Sequence, residues 1–493
     1  MRWFLIILLC LPGLESSRAQ MQTGYDPALQ PATNLQYFTP KGNNLFVGDC
    51  MPFFYKKSFY LYWLLDQGHH SALDGLGGHQ WVLSTSKDLE KWEHHPVVIG
   101  IDQPWEKSIC TGSVVYDDKK YYAFYATRLL DSEGKVNEQL SYAVSDDAIL
   151  FEKQKPNPFY TSAPGYSQRN FRDPKAVIDR KTVHLLISSS TDQDNSLDAH
   201  QGCLVHLSSK DLQTWEVEKP VLTGQKEVPE CSDYFSWKGK YYLLYSQAGN
   251  SHYLMSDKPW GPWVQPPFQP FNEDWSNVVK TAEFTKDRRI ATSWIPSRNN
   301  QSDQGGEQFG GSVLFREVVL LDNGILGTTF VKEMMPRTGE EIDFTMLFDT
   351  KSRKGGNQYL IDAPGSVGAF HAEEIPADCR ITFEVSPEGL NEELGLYLRA
   401  SDKASEGYKL AFSANHQTVS LADTRIEGVT GLNAPFKVEI IMKDDIIDVC
   451  INQQRCMVNR LPQKRGDTLW FYAKQGKVTF KAIKVYPILA NGE

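Results

Sequence analysis

Beyond its first twenty residues the sequence has no apolar run approaching the roughly 18 residues of a membrane-crossing helix, so no span is expected there. Cysteine is scarce. The seven that follow Cys10 are Cys50, Cys110, Cys203, Cys231, Cys379, Cys450 and Cys456; they form no C-x-x-C pair, and the histidines show no ligand spacing. No metal site is indicated. Positive charge is in deficit, with 51 Lys and Arg against 61 Asp and Glu, a net charge of −10. Nucleic acid and anionic membranes reward clustered cations, so neither is expected as a partner, and a neutral or weakly charged ligand fits better. Long helical periodicity is also missing, which leaves an all-β architecture.

What is present is ordinary in bulk: 41% apolar and 23% charged residues give ample material for a core. At 493 residues the chain exceeds what one core usually serves, so two domains are expected. Aromatic residues reach 12%. They suit β-strands and the stacking of sugar C–H faces alike. The N-terminus, MRWFLIILLCLPGLESSRAQ, combines Arg2, an apolar stretch from Trp3 to Leu11, and Ser17 and Ala19 at the −3 and −1 positions of a cut before Gln20. That is the pattern of a secretory signal over residues 1–19, with a lipoprotein anchor at Cys10 as the alternative. An exported protein, periplasmic or extracellular, is therefore expected. Export permits a disulfide between Cys450 and Cys456 if IDVCINQQRCMV folds as a hairpin.

The first 335 residues repeat themselves. KKSFYLYW (56–63), KKYYAFYA (119–126), RKTVHLLI (180–187) and KGKYYLLY (238–245) each join a polar turn to an aromatic strand, and DRRIATSW (287–294) is a weaker copy. They recur about 50 to 60 residues apart, with SKDLEKW (86–92), SDDAILFE (145–152) and SKDLQTW (209–215) between them. Five units of about four strands read as a five-bladed β-propeller over 20–335. Counting eight residues back from Lys57, Lys119, Lys181 and Lys238 reaches Asp49, Thr111, Asp173 and Glu230. These are expected at one structural position, the start of each blade's first strand, facing a common axial pocket.

Three acids in one pocket repel, and one should have its pKa raised. A protonated carboxyl facing an ionised one is the equipment for glycosidic bond cleavage. Arg172 is expected to keep Asp173 ionised and to orient it. One such acid alone reads as a capped strand end; three at one repeat position do not.

These residues carry a resemblance to glycoside hydrolase family 32, the invertases, levanases and inulinases, over roughly residues 35 to 335. FRDPKAV (171–177) is similar to the family's Arg-Asp-Pro motif, VPECSDYF (228–235) to its Glu-Cys motif, CTGSVV (110–115) to its Ser-Gly-Ser segment, and WVLSTSKDLEKWEHHPVVI (81–99) and FGGSVLFREV (309–318) to further family segments. The resemblance implies Asp49 as nucleophile, Glu230 as general acid and base, and Asp173 as transition-state stabiliser, with Arg172, Trp81 and Thr111 as substrate contacts in the pocket wall. The implied reaction retains anomeric configuration on a fructose-containing oligo- or polysaccharide, without a cofactor. One motif departs from the pattern. Where the family usually reads Asn-Asp-Pro-Asn-Gly, VGDCMPFF (47–54) keeps only the aspartate in place, and Leu64 falls near the position of a frequent glutamine. A furanosidase of another specificity, such as an arabinanase, and a noncatalytic sugar-binding propeller remain the rival readings.

After VKEMMPRTGEE (331–341) seven alternating segments, among them FKVEIIMKDD, IDVCINQQR, LWFYAKQG and VTFKAIKVYPI, read as a β-sandwich over 336–493. Its acids are expected on solvated strand faces, and the domain is read as support for the propeller.

Overall fold

The computed structural model describes residues 21–489 apart from 33–34, 192–200, 270, 286 and 390; the expected signal segment lies outside the described residues. Among the described residues the strands form a five-bladed propeller followed by a β-sandwich. Blade I comprises Leu45–Tyr55, Ser58–Gln67, Gln80–Ser86 and Trp92–Ile99; blade II comprises Ser108–Asp117, Lys120–Leu130, Val136–Ser145 and Glu152–Lys153. Blade III comprises Tyr166–Asp179, Thr182–Thr191, Gly202–Ser209 and Glu216–Gln225. Blade IV has Glu230–Trp237, Lys240–Gln247 and Asn250–Ser256, and blade V has Asn277–Phe284, Arg288–Arg298 and Glu307–Leu320. The first strands of successive blades contact one another in ring order, and that of blade V contacts that of blade I. The outer edge of blade V is shared by Leu326–Thr329 and, from the other end of the chain, Tyr37–Phe38.

The sequence repeat has a local cause. The first hairpins of blades I to III turn on Lys56-Lys57, Asp118-Lys119 and Arg180-Lys181, all six with positive φ, the turn geometry whose twist matches antiparallel strands. In the recurring Ser-x-Asp segments the Asp carboxylate accepts two backbone N–H bonds: Asp88 from Glu90 and Lys91, Asp147 from Ile149 and Leu150, Asp211 from Gln213 and Thr214. Each is followed by a left-handed residue, Leu89, Ala148 or Leu212. A short carboxylate that replaces backbone partners is what makes such a turn recur.

A second repeated feature was invisible in the sequence. In every blade the first strand carries a β-bulge, two residues set against one: Gly48 and Asp49 between the pairs Val47↔Leu65 and Cys50↔Trp63, then Cys110 and Thr111, Asp173 and Pro174, Cys231 and Ser232, and Val278 and Val279. The first bulged residue is left-handed in blades III to V, at Asp173 (φ 53), Cys231 (φ 50) and Val278 (φ 58). That conformation costs on the order of 1–3 kcal/mol per residue; its return is a side chain re-aimed toward the axis. The bulges also correct the expected register. Asp49 and Thr111 are second bulge residues, Asp173 is a first, and Glu230 is the paired residue before its bulge. Cys50–Tyr55 and Gly112–Asp117 place one more residue between bulge and turn than Lys175–Asp179 and Asp233–Trp237 do, so a count from the turn slides along the strand.

In the sandwich, Thr468–Pro487 is one strand of 20 residues. It pairs in turn with Glu393–Ala400 and Cys379–Glu388, and with Gln358–Ala372 on its other edge. The two strands expected across this segment are therefore continuous. Gly476 permits it, because a Cβ there would collide with Asn391. Phe370, Phe383, Phe471 and Phe480 form the aromatic centre of the core, all buried.

Asp448 corrects the expectation of solvated acids. It is fully buried and accepts from both Nη1 (2.9 Å) and Nη2 (2.6 Å) of Arg316 in blade V, whose Nε donates to Glu273 at 2.9 Å. Cys450 and Cys456 do face each other across the Ile446–Ile451 and Arg455–Arg460 hairpin, but both are free thiols, and Cys456 Sγ bonds the Thr328 carbonyl at 3.5 Å. The disulfide that export would permit is not formed between them.

Candidate active site

The bulges open into an axial pocket of about 360 Å³ to which all five blades contribute: Asp49 from blade I, Thr111 from II, Asp173 from III, Glu230 from IV and Val278 from V. Beneath it the inner strands are tied by buried polar links. Ser113 Oγ donates to the Pro174 carbonyl (2.8 Å), Lys175 pairs with Asp233 (2.6 Å), Asp233 accepts from Thr281, and Lys280 Nζ donates to the Gly112 carbonyl (3.1 Å). The floor is therefore a cross-braced ring, which fixes the carboxylates above it.

Asp49 is held by three other blades. Its Oδ2 accepts from the Thr111 hydroxyl at 2.5 Å and the Cys231 thiol at 3.5 Å, and its Oδ1 accepts from the Trp294 indole at 3.0 Å. Asp173 is buried, and its Oδ2 accepts the Cys231 backbone N–H at 3.2 Å. Burial pushes its pKa up to about 7; Arg172 pulls it down, while Glu230, Asp49 and Glu138 add to the rise. One acid is raised, but it is Asp173, the one expected to be kept ionised. Glu230 lies nearer the mouth, its side chain 38% exposed.

Arg172 departs from expectation. Its closest carboxylate is Glu230, Nη2 to Oε1 at 2.7 Å, and its Nη1 donates to Asn170 at 2.7 Å and stands 3.4 Å from Glu138. Only its Nε approaches Asp173, at 3.6 Å. Arg172 therefore orients Glu230 first and does not hold Asp173 in its ordinary ionised range. Trp81 is another correction. It has no exposed surface, lies outside the pocket lining, and donates its indole N–H to the Cys110 carbonyl at 2.9 Å, so it braces the wall from behind.

Several lining residues carried no sequence signal. Arg128 donates to Glu138 at 2.9 Å and 3.2 Å and to His70 Nε2 at 2.9 Å. Glu138 thereby stands between two guanidiniums, those of Arg128 and Arg172. Burial, then His79 and Arg128, lower the His70 pKa to about 4, so this ring is neutral and accepts from Arg128. Trp294 and Phe309 complete the wall. Trp294 ends the weakest repeat copy, DRRIATSW, and Phe309 opens FGGSVLFREV; those two segments were the available hints.

Fold and site together define a propeller-plus-sandwich protein with an acid-lined axial pocket. The sequence profile of the glycosyl hydrolases family 32 N-terminal domain matches residues 44–325, and the chain belongs to that family. It is 25% identical over 297 residues to a sucrose-6-phosphate hydrolase from Zymomonas mobilis; this alignment covers 54% of the chain and only 57% of that relative's length. Against a levanase from Bacillus subtilis it is 22% identical over 535 aligned residues, covering 98% of this chain and 74% of that one. Fructan 1-exohydrolase IIa from Cichorium intybus, in a structure with 1-kestose, shares the fold at a TM-score of 0.70 with 16% identity, covering 93% of this chain and 98% of that one.

Proposed function

We propose that the protein is a retaining glycoside hydrolase that cleaves fructosyl linkages in oligo- or polysaccharides. The observation that carries the reading is the convergence of Asp49, Asp173 and Glu230 on one pocket, in a chain whose relatives are named for sucrose-6-phosphate and fructan hydrolysis. Asp49, oriented by donors on both oxygens, is the nucleophile that forms a covalent glycosyl intermediate. Glu230 protonates the leaving oxygen and then takes the proton of the incoming water, so that the two displacements retain configuration. Asp173 in its ionised form holds sugar hydroxyls and stabilises the developing oxocarbenium charge. Thr111 sets the rotamer of Asp49. Export rests on the N-terminal pattern alone and is part of the same proposal.

The test is hydrolysis of sucrose, inulin, levan and fructo-oligosaccharides by the purified chain and by its Asp49→Asn and Glu230→Gln variants, with NMR of the first-formed anomer. Turnover by both variants at the wild-type rate, or an inverted anomer, overturns the reading. A hydrolase of another furanoside is the second reading, favoured by one observation, the apolar wall beside Asp49.

A further inference from the structure

The pocket has two unlike halves. On one side stand Asp173, Arg172, Glu230, Glu138 and Arg128, a continuous set of charged groups able to grip sugar hydroxyls. On the other side, next to Asp49, lies an apolar surface made of Leu64, Phe309 and Trp294. Trp294 gives its one N–H to Asp49 Oδ1. Its ring packs against Phe309 at 5.1 Å between centroids. Phe309 and Leu64 in turn close over Gly48, where a Cβ would stand 3.0 Å from the Phe309 ring and 3.2 Å from Leu64. Leu64 faces the Gly48–Asp49 bulge from the second strand of blade I. The wall is thus one built unit: a Cβ at position 48 would press on the Phe309 ring and on Leu64, so carbon lies close beside the nucleophile.

Most polar groups near this wall are committed elsewhere; the buried Nδ1 of His70 and the amide of Gln308, which lines the pocket beside Phe309, are not. His79 Nε2 bonds Asp66 at 3.1 Å while its ring stacks on Phe309 at 5.0 Å, His70 Nε2 accepts from Arg128, and Asn277 donates to Glu307 at 3.0 Å. A sugar hydroxyl turned toward Leu64 and Phe309 would leave water without a replacement partner. A C–H or methyl edge would meet carbon at no such cost.

Resting on the family reading, we propose that the reacting sugar presents a hydroxyl-free edge to Leu64, Phe309 and Trp294, so that the preferred substrate is a ketofuranoside with fewer hydroxyls there than fructose, a 1-deoxy or a 6-deoxy form. An apolar pocket rejects an added hydroxyl by up to about 100-fold, which sets the scale of the discrimination.

The experiment compares kcat/KM for p-nitrophenyl β-D-fructofuranoside with that for its 1-deoxy and 6-deoxy counterparts, on the wild type and on Leu64→Gln. The expected result is that one deoxy substrate is preferred over the parent by about 10- to 100-fold in the wild type, and that Leu64→Gln shrinks or reverses that ratio. The wild-type ratio is decisive even if the variant does not fold. Turnover with the parent preferred over both deoxy forms overturns this inference and leaves the family reading standing. An unchanged ratio in folded Leu64→Gln also overturns it. Absence of turnover on all three substrates overturns the inference together with the reading on which it rests.

Discussion

Arg172 reaches Glu230 at 2.7 Å and Asp173 only at 3.6 Å, so a single guanidinium serves two pocket acids unequally. Its charge is nevertheless the main influence that lowers the Asp173 pKa against burial. If ionised Asp173 is needed for turnover, kcat/KM should rise with pH through about 7. Arg172→Gln removes the lowering charge, and the acidic limb of the pH profile should move to higher pH. Arg172→Lys keeps the charge without the planar fork and should lower kcat/KM with a smaller displacement of that limb. A pH profile of the three proteins on one substrate decides this.

Glu230 and Asp49 are separable by leaving group. Glu230→Gln should lower kcat about 10²- to 10⁴-fold on sucrose, the usual worth of a general acid, and much less on a p-nitrophenyl glycoside, whose leaving oxygen needs no proton. Asp49→Asn should depress both equally, because the nucleophile is required whatever departs. Equal losses for the two variants on both substrates would contradict the roles given to them.

Asp173 also sets a stability cost. Its folded pKa of about 7 lies above its ordinary 3.8, so the stability it lends when neutral is complete below about 4 and is lost as pH rises through 7. The loss is of order 4 kcal/mol on full ionisation. Asp173→Asn should therefore gain thermal stability relative to the wild type as pH goes from 4 to 8. Melting curves across that range would show a flat difference if the site were solvated.

The Glu273–Arg316–Asp448 triad joins blade V to the sandwich in a fully buried setting. Removing the shared guanidinium leaves two buried carboxylates without their partner, so Arg316→Met should destabilise by about 3–5 kcal/mol, and Arg316→Met together with Asp448→Leu and Glu273→Leu by much less. Chemical denaturation of the single and triple variants measures this directly, and equal losses would mean the charges themselves are not the issue.

The fold was legible because the turns are chemical: Lys-Lys, Asp-Lys and Ser-x-Asp-Leu dictate backbone geometry locally, and they recur. The acids were legible because they neighbour those turns. What was hidden depended on register and on distance. A bulge has no composition of its own, so the placement of Asp173 and Glu230 on successive positions could not be counted from Lys181 or Lys238. Trp81 read as a wall residue because the family resemblance carries position along the chain and not depth. Glu138 and Arg128 entered only through tertiary contact, and Asp448 reads like any strand acid until Arg316 is found opposite it.

Thr39 and Ser312 hydrogen-bond across 273 positions, beside buried Gln36, whose amide exchanges two bonds of 2.8 Å with the backbone of Val331. The circle is thus fastened by its two ends, and nascent blade I, complete at Ile99, must wait, edge unguarded, until Ser312 and Val331 have been made. Folding of this chain should be slow and cooperative, and shortening either end of the propeller by one strand should yield an aggregating ribbon in place of a smaller ring.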